Sequence, residues 1–238
     1  MNEVFNISDL ENFYEYEENG DGTYTVLSIK NKNSLEAVVP ERVTAIEDEA
    51  FSGCESLLSV TIPASVRYIS STALDGCPKL VRITVHDDNR IYRSIDGNLY
   101  NKAGTVLIRY AAGKRGSFVI PEGVINIGDG AFSDSTLLTA AVLPKTVTAI
   151  VTISFSYCES LSLVKLTDSV TSIGEFAFNT CYSLTSIYIP QSVGYIGYGA
   201  FRDCDSLQVV RCQADEQPEK WHEEWIDEYT EAEIFWGE

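Results

Sequence analysis

The chain has 238 residues, of which 45% are hydrophobic and 22% charged, a composition typical of a globular protein with a sizeable core. Its formal net charge of -18 repels phosphate backbones, so we expect no nucleic-acid partner. No apolar run reaches the roughly 18–20 residues of a transmembrane helix, and the acidic N-terminus lacks the basic start and apolar middle of a signal peptide. We therefore expect no membrane insertion, and a chain that by itself neither exports nor anchors.

The first segment, residues 1–39, is predicted to be a β-hairpin cap. The stretch "YEYEENGDGTYTVLSIKN" contains two strand-like runs around a glycine-rich turn at Asn19–Gly22. The letters "EENGDG" also resemble the start of a calcium loop, but Ser28 stands where that loop needs a bidentate glutamate. A hairpin turn explains them better, and no metal is expected.

A 23-residue period governs residues 40–212. The first residue of each regular repeat, called its mark, is Pro40, Pro63, Pro121, Pro144, Thr167 or Pro190. Valine recurs three residues after each mark, isoleucine after six, phenylalanine (once leucine) after eleven and leucine after seventeen. A unit this short cannot bury its own apolar side chains, so equivalent positions must stack in successive coils. The period gives repeats 1–2 at 40–85, an enlarged coil with a hairpin insertion at 86–120, and repeats 3–6 at 121–212.

Segments such as "LTSIYIP" alternate inward apolar and outward variable residues and predict a short strand in each coil. The "AFxxC" stretch is too short for a helix of several turns and predicts a single helical or 3₁₀ turn. We therefore predict an α/β-type repeat solenoid, mainly β, with a right-handed stack, a parallel sheet and one enlarged coil carrying a β-hairpin. Together with the caps, it would form one continuous domain, 1–238.

The segments "IPASV", "IGDGAF" and "IPQSVGYIGYGAFRDCDSLQVV" resemble the BspA-like leucine-rich repeat family from about Val38 to Cys212. The enlarged coil resembles a recurrent variant coil of that family. The acidic tail 213–238, with Trp221, Trp225 and Trp236, resembles its closing segment and is expected to cap the last coil. The resemblance implies a solenoid used for surface attachment or protein contact, often within a larger exported bacterial protein, and hence a cell-surface or secreted location.

Five of the six cysteines occupy one repeat position, fourteen residues after the marks: Cys54, Cys77, Cys158, Cys181 and Cys204. A ladder spreads its members along the stack, whereas metal ligands must converge on one point. Identical side chains also point in the same direction rather than at each other. We therefore expect buried free thiols that fill space as small apolar groups.

No set of residues predicts catalysis. The two histidines, His86 and His222, have no nucleophile singled out beside them, and His86 simply occupies a proline mark at a coil junction. The stretch "NIGDGAF" lacks the third glycine of a dinucleotide-binding turn, and its glycines fall at repeat positions. We expect no enzyme and no cofactor.

Candidate binding residues come from the outward strand positions, which are free to vary between coils. These positions hold three bases and an aromatic residue and, over the six repeats, no acid, so the face is predicted to be locally cationic: Arg82, Lys165, Tyr188 and Arg211. Tyr68 and Tyr195 are expected to add aromatic surface nearby. The enlarged coil is interpreted as an ordinary surface elaboration, with a protruding cationic hairpin that contacts a partner as the alternative.

The sequence thus favours a non-enzymatic, adhesion-type module that presents its strand face to a protein partner, by resemblance a host or extracellular-matrix protein. Two alternatives stay open: a carbohydrate-binding module that uses exposed aromatic side chains, and a passive spacer within a longer surface protein.

Overall fold

The computed structural model of the protein describes residues 7–238. The fold is a mainly β solenoid of parallel strands with very little helix, as predicted. The chain divides into two compact units. Unit 1 runs to Gly104 and includes Arg109–Gly113, whereas unit 2 consists of Thr105–Ile108 and Lys114–Glu238.

Unit 1 starts with a short helix and an antiparallel hairpin, β1–β2, whose second strand continues into a parallel sheet of order β1-β2-β4-β6. A second parallel sheet has the order β3-β5-β7. The elements are α1 (Ile7–Phe13), β1 (Tyr14–Glu18), β2 (Tyr24–Ile29), β3 (Glu36–Val38), β4 (Val43–Ile46), β5 (Ser59–Ile62), β6 (Tyr68–Ile69), β7 (Arg82–Val85), β8 (Tyr92–Ile95) and β9 (Asn98–Asn101).

Unit 2 contains three parallel sheets, ordered β10-β12-β14-β16-β18, β11-β13-β15 and β17-β19-β20. Its strands are β10 (Val106–Arg109, the last residue belonging to unit 1), β11 (Gly116–Val119), β12 (Asn126–Ile127), β13 (Leu138–Val142), β14 (Ala149–Ile150), β15 (Leu163–Lys165), β16 (Ser172–Ile173), β17 (Ser186–Ile189), β18 (Tyr195–Ile196), β19 (Val209–Cys212) and β20 (Glu233–Trp236).

Each regular coil contributes two strands to two different sheets. The longer strand, such as β17, is the one that the alternating pattern predicts. The shorter strand ends at the repeated isoleucine, as in Tyr195–Ile196, and it was not predicted, because two residues are too few to show an alternation. Between the two lies a turn closed by i+3 hydrogen bonds, for example from Ser156 N–H to the Ile153 carbonyl at 3.0 Å.

The core of unit 2 is built on stacked phenylalanines. Adjacent rings lie 4.5, 5.2 and 5.1 Å apart with planes within 10° of parallel, in the order Phe132, Phe155, Phe178 and Phe201. Beside this stack the thiols of Cys158, Cys181 and Cys204 each donate to a phenylalanine carbonyl of the preceding coil, at 3.1–3.3 Å. All six cysteines are buried and free, which confirms the prediction, and at four of the five ladder positions the thiol also links neighbouring coils.

The acidic tail adds an irregular coil to unit 2. The Trp225 ring meets the Phe201 ring edge-on at 5.8 Å and is almost fully buried, so it ends the aromatic stack. The Trp221 indole N–H donates to the Val193 carbonyl at 3.0 Å, and β20 pairs in parallel with β19. The tail therefore covers both the rings and the strand edge of repeat 6.

The hairpin of the enlarged coil does not protrude from unit 1, which favours an ordinary surface elaboration over a protruding contact element. It packs along β7, where Ile83 N–H donates to the Gly97 carbonyl at 2.8 Å. Ser94 Oγ donates to the Ile83 carbonyl and accepts the Val85 N–H, both at 2.8 Å. These bonds satisfy backbone groups that an edge strand would otherwise leave unpaired.

Candidate functional site

The predicted binding residues do not form one group. Arg82 lies exposed on β7 of unit 1, whereas Lys165, Tyr188 and Arg211 lie exposed on β15, β17 and β19 of unit 2. Tyr188 and Arg211 are neighbours in register on adjacent strands, and β15 contacts β17. Unit 2 thus brings three of the predicted residues onto neighbouring strands of its outward face.

Tyr68 and Tyr195 lie on a different set of sheets from Lys165, Tyr188 and Arg211. Both side chains are about half exposed, but Tyr68 is on β6 and Tyr195 on β18, which belong to the second set of sheets. The sequence pattern does not separate them from the outward face, because it does not predict the short strands that hold the two tyrosines.

Acidic residues from outside the six repeats offset the positive charge that the sequence predicts for the outward face. On unit 1, Glu36 of β3 is in register with Ser59, which is in register with Arg82. On unit 2, Arg211 pairs with the Glu238 carboxylate, and its guanidinium lies 5.1 Å from the Phe235 ring of β20. Glu36 and Glu238 lie outside residues 40–212, so the repeat pattern does not include them.

The outward face of unit 2 carries exposed apolar surface. Leu163 and Val119 are 54% and 67% exposed, and Tyr188 is 42% exposed. Val119 lies in register with Val142, and Val142 with Lys165, so one row combines aliphatic side chains with an exposed amine. Large apolar side chains around a few polar groups are typical of protein-binding surfaces.

Burial raises the pKa of the Cys204 thiol to about 12 and the pKa of Cys212 to about 11, so these thiols stay protonated and poor nucleophiles at neutral pH. The His86 Nδ1 accepts the Asp88 N–H at 3.2 Å, which orients the ring within its own loop. Among residues 7–238 no group of three or more His, Cys, Asp or Glu side chains is arranged to hold a metal ion.

"NIGDGAF" has a packing explanation. A Cβ on Gly128 would lie 2.9 Å from the Leu107 carbonyl oxygen, and Gly130 has a positive φ of 58°. The first glycine permits close approach of neighbouring chain segments and the second a turn conformation that favours glycine. In the part of the chain that the structure describes, no helix is long and apolar enough to cross a membrane.

Comparison with solved structures shows the same fold. A leucine-rich cell surface protein from Faecalibacterium prausnitzii is 27% identical with a TM-score of 0.69, over 85% of this chain and 60% of that one. The pneumococcal vaccine antigen PcpA is 22% identical with a TM-score of 0.67, over 74% and 50%. A leucine-rich repeat protein from Eubacterium ventriosum is 16% identical with a TM-score of 0.51, over 92% and 93%.

This chain thus spans about half of PcpA and three fifths of the Faecalibacterium protein. A search of curated proteins gave no significant match. The model of the BspA type leucine rich repeat region, in contrast, matches six copies over residues 28–103 and 110–217. With most of its length matched, the chain belongs to the BspA-type leucine-rich repeat family.

Proposed function

We propose that this chain is a non-enzymatic, adhesion-type module that binds a protein partner through the outward strand face of unit 2, on the surface of a bacterial cell or secreted from it. Repeats of this type generally serve as protein-interaction scaffolds. The observation that carries the proposal is the exposed apolar surface of Val119, Leu163 and Tyr188 on these strands, with the Lys165 amine in the same register row as Val119. Regular packing does not require these side chains, because they point away from the core.

Arg82 belongs to the proposal as a separate contact on unit 1, and Arg211 as a residue whose charge Glu238 already offsets. A partner that engages Arg211 must compete with that carboxylate. We therefore expect the apolar side chains and Lys165 to contribute more to affinity than Arg211 does.

The test uses random peptides displayed on phage and selected against the whole chain. A face variant carries Arg82→Ala, Lys165→Ala, Tyr188→Ala and Arg211→Ala, and a control variant carries Tyr68→Ala and Tyr195→Ala on the other sheets. Selected peptides should bind the face variant at least about tenfold more weakly, since aromatic and basic residues commonly dominate protein interfaces, and should bind the control unchanged.

Unchanged binding to the face variant, with circular dichroism showing an intact fold, would refute the face assignment. Loss in the tyrosine control alone would move the site to the β6 or β18 surface. The carbohydrate alternative rests on the exposed rings of Tyr68, Tyr188 and Tyr195. Binding on a glycan array that these substitutions abolish, with no peptide selected, would favour it.

A further inference from the structure

A groove of about 410 Å³ lies within unit 1, where α1 meets the ends of β3, β5 and β7. Its volume falls in the range of ligand-binding clefts, about 300–1,000 Å³. Two repeat rows form one side of it, each crossing three successive coils. They are the outward strand residues Val38, Thr61 and Thr84, and the mark residues Pro40, Pro63 and His86.

The groove is apolar where it is deepest and remains open to solvent. Ala37, Val39 and Ile62 line it from the core side. Phe13 of α1 and Val38 of β3 border it and are 54% and 57% exposed, which leaves large apolar side chains uncovered. Polar groups are present as well, because the Thr61 and Thr84 side chains reach the groove.

The charges around the groove have one sign. Its lining includes Asp9, Glu36 and Glu41 and contains neither lysine nor arginine. Within residues 7–238 none of these three carboxylates forms an ion pair. His86 replaces the proline that the first two coils have at this position, and because its Nδ1 accepts the Asp88 N–H, Nε2 is the donor of the neutral ring.

We propose that this groove binds an extended segment of a partner protein that alternates basic and apolar residues. Neighbouring strands lie about 4.8 Å apart, so a row of three coils spans roughly 10 Å, the length of about three extended residues at ~3.3 Å each. Alternate side chains of such a segment point to opposite sides, so apolar ones can enter the groove while the long, flexible basic side chains bend back toward the carboxylates. A second copy of this chain is disfavoured, because its net charge is also -18.

The inference rests on the proposed protein-binding function but concerns a different surface, so the two can fail separately. The probe is the fluorescein-labelled peptide Lys-Leu-Lys-Leu-Lys, titrated with the whole chain in a fluorescence anisotropy assay. Its controls are Glu-Leu-Glu-Leu-Glu, which reverses the charge, and Lys-Ser-Lys-Ser-Lys, which keeps the charge but removes the apolar side chains. Both controls should bind at least about tenfold more weakly, because charge and apolar contact are both needed.

A groove variant, Glu36→Lys with Glu41→Lys, is compared with a matched variant, Glu122→Lys with Asp168→Lys, which makes the same charge change on exposed residues of unit 2. The groove variant should lose about tenfold in affinity and the matched variant less than about twofold, since a local charge contact differs from long-range attraction. Phe13→Ala should also weaken binding without changing the charge. The face variant described above should bind the probe as the wild type does.

The inference would be refuted if the two charge variants lost affinity equally, or if the serine peptide bound as tightly as the leucine peptide. Either result would mean that the peptide is held only by general electrostatic attraction to an acidic protein. Loss in the face variant alone would place the peptide on unit 2, which supports the proposed function and removes the groove. Self-association in sedimentation experiments that Glu36→Lys disrupts would identify a second copy as the occupant and would also refute it.

Discussion

Unit 1 and unit 2 contain the same type of coil, but they are closed by different interactions. In unit 2 each coil repeats the bonds of the coil before it, as when Phe155 N–H donates to Ala177 and Phe178 N–H to Ala200. In unit 1 the last regular coil is instead closed by side chains from the enlarged coil. Adding one regular coil to the next thus needs residues that recur at the repeat period (propagation). Ending the run of regular coils needs particular polar residues at single positions (closure).

Three buried side chains show how closure works. Asn89 donates to the carbonyls of Pro63 and Val66, both at 2.9 Å, and accepts two backbone N–H groups. The Tyr92 hydroxyl accepts the Ile69 N–H at 3.0 Å, at the edge of β6. The guanidinium of Arg109 donates to the Leu74 carbonyl at 3.1 Å and pairs with Asp75 at 2.5 Å. Each replaces a bond that a further regular coil would supply.

The largest effect should come from breaking the periodic core of unit 2. Phe178→Ala removes a ring stacked between Phe155 and Phe201 and should lower the free energy of unfolding by about 3–5 kcal/mol, because the rigid stack cannot fill the cavity. Urea denaturation monitored by circular dichroism measures the loss. A cost below about 1 kcal/mol would show that the stack does not stabilise the unit as a cavity model requires.

The next effect concerns closure in unit 1. Asn89→Ala leaves two buried carbonyls and two N–H groups without their partner and should cost about 3 kcal/mol in the same assay. The matched control is Asn12→Ala at an exposed position, which should change stability by less than about 0.5 kcal/mol. Equal effects of the two substitutions would refute the view that Asn89 closes the coil.

Alkaline pH should weaken unit 2 through its thiols. Burial raises the pKa of Cys204 to about 12, whereas an unfolded thiol has a pKa of about 8.5, so above pH ~9 the unfolded chain binds fewer protons than the folded one. The stabilisation is complete below pH ~8.5 and is lost as pH rises toward 12, by about 1.4 kcal/mol per pH unit for this thiol. Between pH 9 and 10.5, the free energy of unfolding should therefore fall less steeply with pH in Cys204→Ala than in the wild type. Parallel slopes would contradict the prediction.

The smallest effect concerns surface residues at one repeat position. Unit 1 exposes Leu35, Leu58 and Val81 there, by 40–58%, whereas unit 2 has polar residues: Thr139, Ser162, Thr185 and Gln208. Replacing the three apolar residues with threonine should change the free energy of unfolding by less than about 0.5 kcal/mol, because exposed side chains contribute little packing. A loss above about 1 kcal/mol would show that this row is part of the core of unit 1.

What the sequence predicts follows the same division between propagation and closure. The ladders of phenylalanine, cysteine and leucine were predictable because each position recurs at a fixed interval. A single short coil cannot bury these side chains, so they must stack on the equivalent side chains of neighbouring coils. Arg109 and Asn89 were not, because a buried polar residue that occurs once has no period to reveal it. Leu74 illustrates both cases. The sequence shows that it replaces a repeated phenylalanine, but it does not show that the Arg109 guanidinium, 35 residues away, binds its carbonyl.

The binding surfaces were predictable only in part. The outward direction of Lys165, Tyr188 and Arg211 followed from strand alternation, which requires only the local pattern. The balance of charge did not, because Glu36 and Glu233 lie on strands β3 and β20, outside the marked repeats. The short helix α1 was also not predicted; it supplies Phe13 to the groove although Leu10 is the one helix residue that is buried.

The bond from Ser94 to β7 has a consequence for how such a chain can change its length. In unit 2 the repeated phenylalanines stack on their equivalents in neighbouring coils, so a duplication or deletion of 23 residues would leave each remaining ring with an equivalent neighbour. The hairpin is different, because the Ser94 hydroxyl bonds to two particular backbone groups of β7, those of Ile83 and Val85. We therefore expect a change of copy number to be accommodated more readily within unit 2 than at the hairpin, which depends on single residues.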